Sequence, residues 1–128
     1  MNREIKFRAK CKDNGDWVYG SYIANYNNND WIVQGGDFFA VDSDTVCQFT
    51  CHYDKEGKEI YHGDIFYDEI TNVKYVVYFS NDNCAFCYDA LGSSHLRSLI
   101  MQKWWFDSNV NFQVIGNAYD NPELLENN

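Results

Sequence analysis

A mainly β protein built from short antiparallel strands is what this sequence predicts, on three observations. Aromatic residues make up 18% of the chain, and they occur with valine, isoleucine and threonine in short runs, the residue types that suit a pleated, half-buried surface. Clusters of Asn, Asp and Gly separate those runs, which is the punctuation of tight turns. Helical periodicity is confined to two short places. The 128 residues, 45% of them hydrophobic, suffice for one domain over residues 1–128, since a chain of this size buries roughly two-thirds of the surface it exposes when unfolded. Neither an internal repeat nor a low-complexity linker marks a boundary.

Taken in order, Ile5, Phe7, Ala9 and Cys11 alternate with Lys6, Arg8, Lys10 and Lys12, the period-2 pattern of a strand with one apolar and one basic face. Asp13-Asn14-Gly15-Asp16 turns it into a second strand, Trp17 to Ala24, because Asn-Gly readily takes positive φ. Asn25 to Asp30 reads as a polar loop. Trp31 to Val33 and Phe38 to Val41 read as strands around Gly35-Gly36, and Thr45 to Thr50 as another. In Asp54-Lys55-Glu56-Gly57-Lys58 the aspartate can accept from the turn backbone and the glycine can take the left-handed position. Ile60-Tyr61 and Ile65 to Tyr67 flank a corner at Gly63, and Lys74 to Ser80 and Ala85 to Asp89 are strands. Ser93 or Ser94 could cap a short helix carrying Leu96, Leu99 and Ile100, before a strand at Trp104 to Phe106. Asn121-Pro122-Glu123 has the order of a helix start, so a short C-terminal helix is expected.

Three stretches, REIKFRAK, TVCQFTCHYDKEGKEIYHGDI and FQVIGNAYDNPELLE, together resemble the YopX family of phage and prophage proteins. The resemblance implies an SH3-like small barrel or roll and a phage or prophage origin; it transfers no functional residue, because the family has no assigned reaction. In the family pattern the positions of Cys47 and Cys51 are commonly glycine, and that of Lys10 is usually aromatic. This chain departs there.

The net charge of −9 repels a polyanion at long range and argues against direct nucleic-acid binding. It is unevenly placed. Residues 1–12 hold Arg3, Lys6, Arg8, Lys10 and Lys12 against Glu4 alone, a net of +4, so the remainder carries −13. The basic residues Lys6, Arg8, Lys10 and Lys12 read either as a solvated strand that discourages edge pairing or as a docking strip for an acidic partner, a second copy of the chain included. No run approaches the ~20 apolar residues of a membrane span, and the charged N-terminus lacks a signal segment. A cytoplasmic protein is expected, in the host cytoplasm if phage-encoded, with its cysteines reduced or metal-bound.

The motifs of phosphate cradles, dinucleotide sites and the commonest hydrolases are missing. His52 and His62 flank the 54–58 turn, where general acid–base work would need a positioned partner; the surface reading of both is the simpler one. Cys47-x-x-x-Cys51 and Cys84-x-x-Cys87 could supply a zinc tetrad, with His52 a substitute ligand. Against this, residues four apart on one strand lie ~13 Å from each other, and free cysteine behaves as a small buried hydrophobe. Inert thiols, with no metal and no cofactor, are therefore the favoured reading. Trp104 and Trp105, adjacent on a strand, face opposite ways, so both are buried only if a partner subunit, a loop or the terminal helix covers the second side. Those tryptophans and the four basic residues are the partner-binding candidates. The function these features suggest is a non-enzymatic module that binds a protein, or assembles with itself. Alternatives are an acidic mimic of DNA charge presenting Asp42, Asp44, Asp68 and Glu69, and a zinc-binding domain.

Overall fold

The computed structural model describes residues 3–92, 99–101 and 111–126. Its elements run β1 (Phe7–Lys10), β2 (Trp17–Tyr26), β3 (Asn29–Gln34), β4 (Asp37–Val41), a 3-10 turn (Ser43–Thr45), β5 (Cys47–Tyr53), β6 (Glu59–Tyr61), β7 (Asp64–Asp68), β8 (Val73–Ser80), β9 (Ala85–Ala90), β10 (Leu99–Ile100), β11 (Phe112–Asn117) and a last 3-10 turn (Pro122–Leu125). They form two antiparallel sheets, ordered β4-β3-β2-β1-β5-β6 and β10-β9-β8-β7-β11. Among the described residues neither closes into a barrel, so the SH3-like barrel expected above gives way to two open sheets. The chain divides into two compact units, Met1–Cys51 and His52–Asn128, and β5 runs through the division.

In the first unit, turn chemistry acts as expected. Gly15 takes φ 76, and Asn14 Oδ1 accepts the Asp16 amide at 2.9 Å. The polar loop expected over Asn25 to Asp30 is instead a tight hairpin. Strand β2 continues to Tyr26, and Asn25, Asn27 and Asn28 take φ of 54, 49 and 63, a left-handed region that asparagine tolerates better than most side chains. Asp30 latches the bend, its Oδ1 accepting the Asn25 amide at 2.9 Å and its Oδ2 the Tyr22 hydroxyl at 2.8 Å.

This sheet curls. Cys11 bridges Val41, and the Lys12 amide donates to Ala40 O and the Asp42 amide to Lys10 O, both at 2.9 Å, so the end of β4 meets the end of β1. Ala9, Cys11, Val18, Ile32 and Val41 fill the inside, with Phe7, Tyr22, Phe39 and Val46 packed against them. Strand β1 is paired on both sides, by β2 and β5. The reading of it as a solvated, pairing-averse edge is thereby corrected: alternation reveals a strand's two faces and says nothing of its neighbours.

The second unit packs Ile60, Phe66, Val77, Tyr88, Met101, Phe112 and Val114 into one cluster. Phe66 is its hub, with ring centroids 4.7 Å from Phe112, 5.1 Å from Tyr75 and 5.4 Å from Tyr88; full burial of such a ring stabilises by about 2–3 kcal/mol. Gly57 (φ 82) and Gly63 (φ 88) take the left-handed positions their turns require. Two expectations change here. Leu99 and Ile100 form β10 against Tyr88 and Cys87 rather than the side of a helix. The C-terminal helix is only the four-residue turn Pro122–Leu125, because Asn121 Oδ1, expected to cap it, accepts the Asn117 amide instead at 3.2 Å. Ser93, Ser94, Leu96, Trp104, Trp105 and Phe106 lie outside the described residues.

Candidate functional site

The motif residues are engaged with backbone. Asp54 Oδ1 accepts the amides of Glu56 and Lys58, both at 2.9 Å, while its Oδ2 accepts that of Val114 at 3.0 Å. Lys55 N donates to Phe112 O at 2.9 Å, and Gln113 Nε2 to Glu56 Oε1 at 2.8 Å, so the turn is tied along β11. Asp64, buried, accepts the Tyr61 amide at 2.7 Å. Asn117 Oδ1 accepts the amides of Tyr119 and Asp120, at 3.0 and 2.9 Å. A buried carboxylate holding two or three amides is a turn-building device, since each amide left unsatisfied would cost about 1–3 kcal/mol.

The acidic candidates are similarly occupied. Asp42 Oδ1 accepts the Asp44 amide at 3.1 Å, Asp68 Oδ1 accepts those of Ile70 and Thr71 at 2.9 and 3.4 Å, and Glu69 is paired with Lys55. Of the histidines, His52 is buried and His62 half-buried, which departs from the surface reading of both.

The cysteines fall on separate supports. Cys47 and Cys87 are buried and Cys84 exposed. Each of the four candidates lies against a carbonyl, Cys47 Sγ 3.2 Å from Thr45 O, Cys51 Sγ 3.2 Å from Glu4 O, Cys84 Sγ 3.5 Å from Asn81 O and Cys87 Sγ 3.7 Å from Ala85 O. Among the described residues no three His, Cys, Asp or Glu side chains gather as a ligand set. Cys51 stands at φ 68 and Cys84 at φ 49, so the glycine common at the first of these positions in the family pattern has a backbone reason.

The basic strip lies against rings. Lys6 Nζ is 5.2 Å from the Phe49 centroid, and above Trp17 sit the Arg8 guanidinium at 4.6 Å and Lys10 Nζ at 5.5 Å. Arg8 is only 5% exposed. Lys12 alone of the four is exposed, and its Nζ donates to Asn29 Oδ1 at 2.7 Å.

What the sequence reading missed is the outer face of the β2-β3-β4 arm. The register Tyr26↔Asn29, Ile23↔Trp31, Ser21↔Val33, Trp31↔Ala40 and Val33↔Phe38 places these residues together on the side away from Ile32 and the inner cluster, and alternation along β2 adds Tyr19. None of them is charged. Tyr19, Tyr26 and Phe38 are exposed, the latter two by 60% and 61%, and they account for the first unit's exposed aromatic residues among those described. Trp31 is fixed among them, its indole Nε1 donating to Tyr26 O at 2.7 Å. The signal was present in the alternation Trp17, Tyr19, Ser21, Ile23, but only pairing shows that three strands present one surface.

Fold and motif together define a class: a small β protein of two antiparallel sheets in which the most distinctive side chains build turns. The chain belongs to the YopX protein family, whose model matches residues 6–126 and so runs through both units. No curated protein matches it significantly. A solved structure similar to it is the crystal structure of protein EF1440 from Enterococcus faecalis, with 23% identity, 96% of this chain and 99% of that one covered, and a TM-score of 0.49. Among the described residues no helix is long and apolar enough to cross a membrane.

Proposed function

We propose that this YopX family protein is a non-enzymatic protein-binding module, an accessory of phage or prophage origin acting in the host cytoplasm, and that it binds through the outer face of β2, β3 and β4. The observation that carries this is the uncharged aromatic surface of Tyr19, Ile23, Tyr26, Trp31, Val33 and Phe38. Contiguous apolar surface rich in Tyr and Trp and poor in charge is the composition of an interface centre. A Trp held by a backbone hydrogen bond is a pre-ordered anchor, which loses little side-chain freedom on binding. The net charge of −9 makes a protein a better ligand than nucleic acid.

The test is the double variant Tyr19→Ser, Phe38→Ser, compared with the parent protein for native mass and for proteins retained from a host-cell extract. Association with itself or with a retained protein should be present in the parent and lost in the variant. Identical association of both, with both folded, would overturn the assignment of this face.

A further inference from the structure

We infer that Asn14 is a site of spontaneous covalent modification, the loss of its side-chain amide through a cyclic imide, and that the β1–β2 turn withholds the reaction while the hairpin is closed. Asn14 is the chain's only asparagine followed by glycine, and both residues are exposed. The glycine matters because its backbone nitrogen is the attacking group. A residue without Cβ puts nothing in the way of the attack and lets the chain bend to bring nitrogen and side chain together. The step is a substitution at Asn14 Cγ. The Gly15 nitrogen gives its proton to a solvent base and bonds to Cγ; the Cγ–Nδ2 bond breaks, and the amide nitrogen takes up a proton and leaves as ammonia. Water then opens the imide. Cleavage between Cγ and the nitrogen leaves aspartate at position 14, whereas cleavage between the main-chain carbonyl carbon and the nitrogen leaves isoaspartate, with the chain running through Cγ.

In the closed hairpin the nucleophile is withheld. The Gly15 amide donates to Cys11 O at 2.8 Å, and the Cys11 amide donates across the same loop to Asp16 O at 2.8 Å, so the proton that must leave is held inside the turn. Asn14 Oδ1 accepts the Asp16 amide at 2.9 Å, which fixes the side chain toward Asp16. The reaction therefore waits for a local opening that frees the Gly15 amide. The two products differ in what they permit afterwards. Aspartate keeps an oxygen able to accept the Asp16 amide. Isoaspartate adds a methylene to the main chain of a loop whose closure sets the Lys10↔Trp17 pairing, so a hairpin that has reacted this way does not close in the same register.

The full chain is tested by incubation at mildly alkaline pH, folded and in unfolding guanidinium, with peptide mapping by mass spectrometry for the gain of one mass unit and for isoaspartate. In the unfolded chain Asn14 should convert ahead of every other asparagine, to both products. In the folded chain its conversion should be slower by about ten- to hundredfold, the protection that two net hydrogen bonds give. At guanidinium concentrations below the unfolding transition, the rate should rise in step with hydrogen exchange of the Gly15 amide. Gly15→Ala, compared in guanidinium where folding is not at issue, should slow the conversion several-fold. Another asparagine converting first in the unfolded chain overturns the site. Equal rates in the folded and unfolded chains overturn the gate, and a rate unchanged by Gly15→Ala overturns the imide route.

Discussion

Asp54 and Val114, sixty positions apart in sequence, are joined by a 3.0 Å hydrogen bond from the Val114 amide to Asp54 Oδ2. The same carboxylate holds two amides of its own turn. Asp54→Ala should therefore leave three amides without acceptors and destabilise the protein by about 3 kcal/mol or more, whereas Asp54→Asn keeps the shape and should cost less. Urea unfolding followed by circular dichroism measures both. An alanine variant as stable as the parent would show that this residue does not hold the turn to β11.

Cys51 carries a side chain at φ 68, where a non-glycine residue is strained by about 1–3 kcal/mol. Replacing it with glycine removes the strain but makes the unfolded chain more flexible, a loss of about 0.5–1 kcal/mol. Cys51→Gly should on balance stabilise the protein by about 1 kcal/mol, and the β-branched Cys51→Val should destabilise it. Denaturant midpoints settle the order. A glycine variant with a lower midpoint would mean that the Cys51 thiol and its contact with Glu4 O outweigh the backbone strain.

The readable part of the sequence was the part whose physics is local. The local chemistry of the 54–58 turn was legible, Asp accepting and Gly left-handed, because the amides that Asp54 holds lie within five residues of it except that of Val114. The asparagines from 25 to 29 were misread as a loop, since asparagine at positive φ does there what glycine does elsewhere. The burial of Arg8 was invisible, because its alternation with Ala9 is the same in a central strand and at an edge. The aromatic residues were legible as strand formers, but Tyr19, Trp31 and Phe38 are brought to one face only by pairing across two hairpins. The cysteine spacing left zinc open beside the favoured inert thiols, and only the structure places each of the four sulfurs against a backbone carbonyl.

Asp30 ties the β2–β3 bend to pH. The Asn25 amide first, then the Tyr22 hydroxyl and the charge of Lys12, hold its carboxyl below the ordinary value, although its partial burial works the other way. Tyr22 is shifted up, by burial first and by Asp30 second. A depressed carboxylate contributes stability that is complete above its unfolded pKa and is lost as pH falls through the folded one. The bend should thus hold at neutral pH and loosen only in acid, below the usual aspartate range. NMR titration of the Asp30 carboxyl should give a midpoint below 3.8, with the Asn25 amide signal moving over the same range. A midpoint at or above the ordinary value would mean that the two hydrogen bonds do not persist in solution.

Gly20 and Gly15 separate two reasons for glycine. At Gly20 a Cβ would stand 2.0 Å from the Val33 carbonyl oxygen, whereas at Gly15, with φ 76, it would meet nothing within 4 Å. Gly15→Ala should therefore cost only the backbone preference, about 1 kcal/mol. Gly20→Ala must push β2 from β3 or twist the strand, because the obstacle is backbone that cannot rotate away, and about 3 kcal/mol is expected. The two variants should also differ in where they act. Hydrogen exchange in Gly15→Ala should quicken around the 13–16 turn, and in Gly20→Ala across the Ser21–Val33 and Tyr22–Ile32 pairs on which the aromatic face depends. Equal, small losses in both would show that β2 and β3 are not so closely apposed at this point.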